Sequence, residues 1–148
     1  MTAGFPEAAA RLRLAAPEIA ATALAAALTG DPQMAPRYDE LGLRRLLHDT
    51  EVLVERLAMC VAADDPRWLA EYAEWIEPIY RRRRVSLLDV VALCEGVRGA
   101  VATVLDGPAL TAAETALTAA TDVLRRNARL AGDTHKRNAL WKWLYRGV

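Results

Sequence analysis

Three proline-bearing stops divide this chain, at Gly30-Asp31-Pro32, Asp65-Pro66 and Asp106-Gly107-Pro108. Between them every long segment repeats its apolar residues at the helical period, and no stretch alternates as a half-buried strand does. The pattern predicts an all-α chain of five to seven helices. At 148 residues, 53% of them apolar, it is long enough to bury one core. A single domain over residues 1–148 is expected, with an N-terminal helical segment (1–35) and a basic, aromatic tail (133–148).

The Ala-rich stretch PEIAATALAAALTG predicts a helix with Pro17 in its first turn and a stop at Gly30. The next helix is expected over roughly 40–63, with Leu43, Leu46, Leu47, Val54, Leu57 and Val61 as its apolar stripe. Arg44, His48, Glu51 and Glu55 share another face by the same spacing. Asp65-Pro66 opens a helix carrying Trp68, Leu69, Tyr72, Ile76, Ile79 and Tyr80. Its aromatic residues, Trp75 among them, read as core. Pro78 is expected to kink or cut it, because proline lacks a donor and clashes with the carbonyl four residues back.

Ser86 with Asp89 resembles a capping box at the start of a helix that buries Val90, Cys94, Val97, Val101 and Leu105. Ala92, Gly96, Gly99 and Ala100 are small and nearly aligned, so a neighbouring helix can approach closely there. TAAE (111–114) reads as a full capping box, with Thr111 as cap and Glu114 reaching back. The helix it opens carries Leu117, Thr121, Leu124 and Ala128.

Charge is balanced overall, nineteen basic against nineteen acidic residues, but unevenly placed. Residues 1–80 hold 7 basic and 13 acidic side chains, whereas residues 81–148 hold 12 and 6. Such a dipolar chain suits pairing with another subunit. Arg81–Arg84 circle a helix axis instead of forming a stripe, and they fall at a helix C-terminus, where cations offset the macrodipole. The run therefore reads as a solvated helix end and not as a nucleic-acid grip. Residues 85–108 superficially resemble the helix-turn-helix of LacI-type repressors. Yet Glu95 stands where that motif needs its turn glycine, and the apolar period runs straight through. DNA binding is the third-ranked reading.

Cys60 and Cys94 lie 34 positions apart in no metal-like spacing, which suits a reduced, cytoplasmic chain. The apolar run at 19–28 is too short to span a bilayer, so no membrane span is expected. His48 and His135 are the only histidines. They provide no zinc constellation and no paired Glu-x-x-His of a di-iron bundle. No catalytic triad or phosphate loop has support in the sequence, so an enzyme is not expected.

The stretch LLHDTEVLVERLAMCVAADDPRWLAEYAEWIEPIY resembles the globin-like superfamily, specifically phycobiliproteins. There a Cys-x-Arg-Asp segment opens a long helix and holds a linear tetrapyrrole, and an acidic turn leads to a second helix with a late tyrosine. Asp49 falls on the motif's aspartate, Asp65 on the acidic turn, and Tyr80 near the late tyrosine. The resemblance covers roughly residues 38–132. Leu46 occupies the attachment cysteine position, which excludes a thioether there, and His48 replaces the arginine. The segment before Asp49 is shorter than in phycobiliproteins, so the helical pair that builds their heterodimers is not expected. With no histidine between His48 and His135, haem is not expected either. The nearest groups are the bilin-biosynthesis-associated globins and, next, the N-terminal non-haem globin sensor domains of stressosome proteins.

The resemblance implies a globin-like bundle that binds a bilin non-covalently. Asp49 would accept hydrogen bonds from pyrrole N–H groups. Arg44, Arg45 and His48 would meet the propionates, and Trp68 and Tyr72 would wall the pocket. Bilin biosynthesis enzymes would be partners, beside a homo- or heterodimer formed through helix faces. The alternative is a pigment-free sensor or interaction domain that acts by dimerising.

Overall fold

The computed structural model describes residues 3–131, and the tail at 133–148 lies outside them. Those residues fold into five α-helices, and no strand occurs among them. The helices are α1 (Pro6–Gly30), α2 (Glu40–Ala63), α3 (Arg67–Arg82), α4 (Leu87–Val101) and α5 (Gly107–Ala131). A short 3₁₀ turn, Ala35–Arg37, lies between α1 and α2. The all-α expectation of five to seven helices is met. α1 packs on α2 and α4, α5 on α3 and α4, and α2 lies against α3 and α5.

α2 occupies the expected span. Asp39 caps it by accepting a 2.7 Å hydrogen bond from the Gly42 amide. At its other end Asp64 adopts the left-handed conformation (φ 51°), and the Asp65 amide donates back to the Cys60 carbonyl at 2.9 Å. α3 ends the same way. Arg84 is left-handed (φ 57°), the Val85 amide donates to the Tyr80 carbonyl at 2.9 Å, and Tyr80 and Val85 are both buried. The last turn of the arginine run is thus a defined stop.

Several boundaries differ from expectation. Pro6, not Pro17, opens α1, and the helix runs unbroken through Pro17, whose exposed position spares the core a clash. α3 likewise continues through exposed Pro78, because Ile76 and Tyr80 on either side are buried and hold both turns in register. α5 begins at Gly107 (φ 57°), so Thr111 is one turn inside the helix and is not its cap. Its hydroxyl donates to the Gly107 carbonyl at 3.4 Å.

α4 is unbroken across Glu95, so 85–108 forms no helix-turn-helix. Gly96 lies against α1: a Cβ there would stand 2.6 Å from the Ala23 carbonyl oxygen. The expected close approach therefore occurs at Gly96, whereas Gly99 faces open space. α1 is longer than the 19–28 run suggested, and by length and composition alone it could cross a bilayer (mean hydropathy 1.3). Here Leu12, Ala16, Ile19 and Ala23 are buried on one side, while Glu7, Arg11, Arg13 and Glu18 are exposed on the other.

Candidate functional site

Asp49 lies at the edge of the buried face of α2, between Leu46 and Leu53. Its carboxylate is 19% exposed and accepts a 2.9 Å hydrogen bond from Arg83 Nη1. It pairs with neither Arg45 nor Arg56, the partners on its own helix. The Arg83 guanidinium also covers the Tyr80 ring at 5.3 Å, and the Tyr80 phenol stands beside the same carboxylate. Burial, with the Asp49 charge added to it, pushes the Tyr80 phenol well above the ordinary tyrosine range. One arginine of the run therefore turns inward. Arg81, Arg82 and Arg84 are exposed, and Arg81 pairs with Glu77.

The hollow beside Asp49 is lined by Thr50, Leu53, Tyr72, Ile76, Tyr80 and Leu93, among others, and encloses about 10 Å³. That is room for roughly one water molecule. The other residues singled out for the propionates do not converge on it. Arg44 is exposed and pairs with Glu40 at 2.6 Å, while Arg45 and His48 are exposed on the same helix. At 100° per residue, Arg44 and His48 point roughly 100–140° away from Asp49 around the α2 axis. Small-molecule sites generally enclose about 300–1,000 Å³. The hollow at Asp49 is far below that range, and the carboxylate already accepts from Arg83.

Trp68 and Tyr72 do come together, but in a different feature. With Trp75 they repeat at i, i+4 and i+7, one stripe of α3. Trp75 is 64% exposed and Trp68 39%. Both differ from the core placement that the sequence predicts, because α3 turns its Leu69, Ala73, Ile76 and Tyr80 face inward instead. The stripe borders an open groove of about 330 Å³ between α2 and α3, completed by Arg56, Met59 and Glu71. The Arg56 guanidinium lies 5.3 Å over the Tyr72 ring, and the Tyr72 and Trp75 rings are 6.2 Å apart.

A second polar cluster departs from the capping box expected at the start of α4. Asp89 is 2% exposed, and its side chain accepts from Arg37 and Tyr38, which lie off α4. Ser86 Oγ accepts from the Leu88 amide at 3.2 Å and caps the helix. Asp89 instead takes two hydrogen bonds from Arg37, at 2.6 and 3.2 Å, and one from the Tyr38 hydroxyl at 2.5 Å. Burial and the Asp89 hydrogen bond raise the Tyr38 phenol above its ordinary range. The signal was present: Asp89 shares a stripe with Leu93, Val97 and Ala100, which marks a buried acid in need of a partner. This cluster fastens the 3₁₀ turn to α4.

Among the described residues, no three His, Cys, Asp or Glu side chains converge as metal ligands would. Arg98, the cation in the DNA-binding reading, bonds to Glu95, Thr118 Oγ1 and the Glu114 carbonyl. Compared with known proteins, the chain matches no family model and no curated protein. The likeness to phycobiliproteins rests on the sequence pattern alone.

Proposed function

We propose that this chain is a non-catalytic, pigment-free interaction module that works through the α2–α3 aromatic face. The observation that carries this is Trp68, Tyr72 and Trp75 in one stripe, outside the core, beside a groove flanked by Arg56. Tryptophan, tyrosine and arginine dominate the energetics of protein contacts, since each brings a large rigid or planar surface at low entropic cost. Exposing two indoles to water is unfavourable unless another surface covers them. The expected bilin-handling role has weaker support: Asp49 faces inward, but onto a hollow the size of one water.

A photo-crosslinking residue placed at position 75 tests this reading in cells. Covalent protein adducts are expected from position 75 and not from exposed position 129 on α5. No adduct from position 75 would reject it. A bilin titration is the second arm. The proposal predicts no absorbance shift, and a shift abolished in Asp49→Ala would return the pigment reading to first place.

A further inference from the structure

The aromatic face carries, on one molecule, both halves of a contact. Trp75 projects as a knob, and the groove between α2 and α3 is a hole of about 330 Å³, large enough to receive an indole. Its border also carries both charges. Arg56 and Glu71 flank the groove, and neither closes a salt bridge with another described residue.

A helix stripe spaced i, i+4, i+7 is its own complement when turned end for end. The midpoint of Trp68 and Trp75 falls between Glu71 and Tyr72, so an antiparallel copy of α3 crossing there brings each Trp75 to the other copy's Trp68. Both ends of α3 are already locally paired, Asp65 with Arg67 at 2.8 Å and Arg81 with Glu77, so the stripe and the helix dipoles set the direction. Antiparallel apposition opposes those dipoles favourably. A different partner would need to supply a matching knob, hole and charge pair, whereas a second copy has all of them.

Resting on the proposed role of this face, we infer that its partner is a second copy of the chain. The two α3 helices pack antiparallel across a two-fold axis near Tyr72. Such an isologous contact repeats every interaction twice. Arg56 of each copy meets Glu71 of the other, so the dimer holds two such pairs, and Trp75 of each fills the other's groove.

Sedimentation velocity of the full chain tests this at micromolar concentrations. The wild type is expected to sediment as a dimer that dissociates on dilution. Arg56→Glu places two like-charged pairs across the axis, as does Glu71→Arg, and each is expected to weaken association by about tenfold or more. Both positions are exposed, and circular dichroism with unchanged helix content, measured at dilutions where every chain is monomeric, shows that the variants fold. An equimolar mixture of Arg56→Glu and Glu71→Arg chains is the decisive sample. The mixed dimer regains both opposite-charge pairs, so it is expected to form with near wild-type affinity. A wild type that stays monomeric, single reversals without effect, or a mixture no tighter than either variant would each overturn the inference. Adducts from position 75 to a different protein, with a monomeric wild type, would leave the proposed face standing and remove the second copy. An absence of any adduct would remove both.

Discussion

Four consecutive arginines in one chain have two different fates, and the backbone decides between them. The stop at Arg84 turns Arg83 back over Tyr80 towards Asp49, while Arg81 and Arg82 stay on the outside of the last turn. Arg83→Ala is expected to lower stability by about 1–2 kcal/mol, because it leaves a largely buried carboxylate short of a donor. Arg82→Ala is expected to stay within about 0.5 kcal/mol. Urea unfolding at constant slope compares the two directly. Cys94 supplies the residue-scale pH dependence. Complete burial pushes its thiol up to about 12, from an ordinary value of 9.0. Between those values the unfolded chain has lost a proton that the folded chain keeps. The folded state's advantage is therefore whole below pH 9 and is lost as pH rises towards 12, by up to about 1.4 kcal/mol per pH unit. Tyr38 and Tyr80, also raised, add to the loss above the ordinary tyrosine range. Unfolding curves from pH 8 upward should show a steady fall in stability, and flat curves would contradict it.

At the scale of elements, α3 shows why the candidate site was only half legible. Trp68, Leu69, Tyr72, Trp75, Ile76, Ile79 and Tyr80 are more apolar residues than one helix face can bury, so periodicity alone leaves two candidate faces. The choice is made by α5, whose inward side offers Ala113, Ala116, Leu117, Ala120 and Leu124. The side of α3 that is buried is the narrower one, centred on Ala73, and the indoles are left outside. No residue within α3 announces that outcome. Helix ends were misread for a related reason. Pro17 and Thr111 have the right chemistry for a first turn, but Leu12 and Ala109, each N-terminal to them, already belong to the buried faces of α1 and α5. The small residues of α4 were legible, and they divide cleanly. Gly96→Ala is expected to cost about 1–3 kcal/mol, since its Cβ would press on Ala23 backbone and force α1 away. Gly99→Ala meets nothing within 4 Å and is expected to stabilise α4 by up to about 1 kcal/mol. Asp89→Asn is expected to cost about 2–3 kcal/mol, less than a fully buried pair because Arg37 keeps Asp31 at 2.9 Å. Asp31→Asn is expected to cost under about 1 kcal/mol.

For the whole molecule, the polar residues with buried partners are fasteners and the unfastened surface is aromatic. Asp89 holds the α1–α2 connection to α4, and Asp49 holds the end of α3 to α2. Both carboxylates looked like working groups in the sequence, one as a cap and one as a pigment acceptor. Both face inward onto arginines that are distant in sequence, and such long-range pairing is what local pattern does not encode. The all-α class, the span of α2 and the core stripes of α4 and α5 were legible because they depend on spacing within one helix. Which surface stays uncovered depends on all five helices at once. The α3 stripe, and not the Asp49 hollow, is the proposed working surface, and a second copy of the chain is its proposed cover. Hydroxyl-radical footprinting of the full chain, dilute and concentrated, measures this one residue at a time. Trp68, Tyr72, Trp75 and Met59 are expected to be oxidised severalfold more slowly when concentrated, while exposed Leu14 and Leu130 react equally at both concentrations. Equal oxidation of the four at every concentration, or protection spread evenly over Leu14 and Leu130 as well, would contradict the pairing of this face with a second copy.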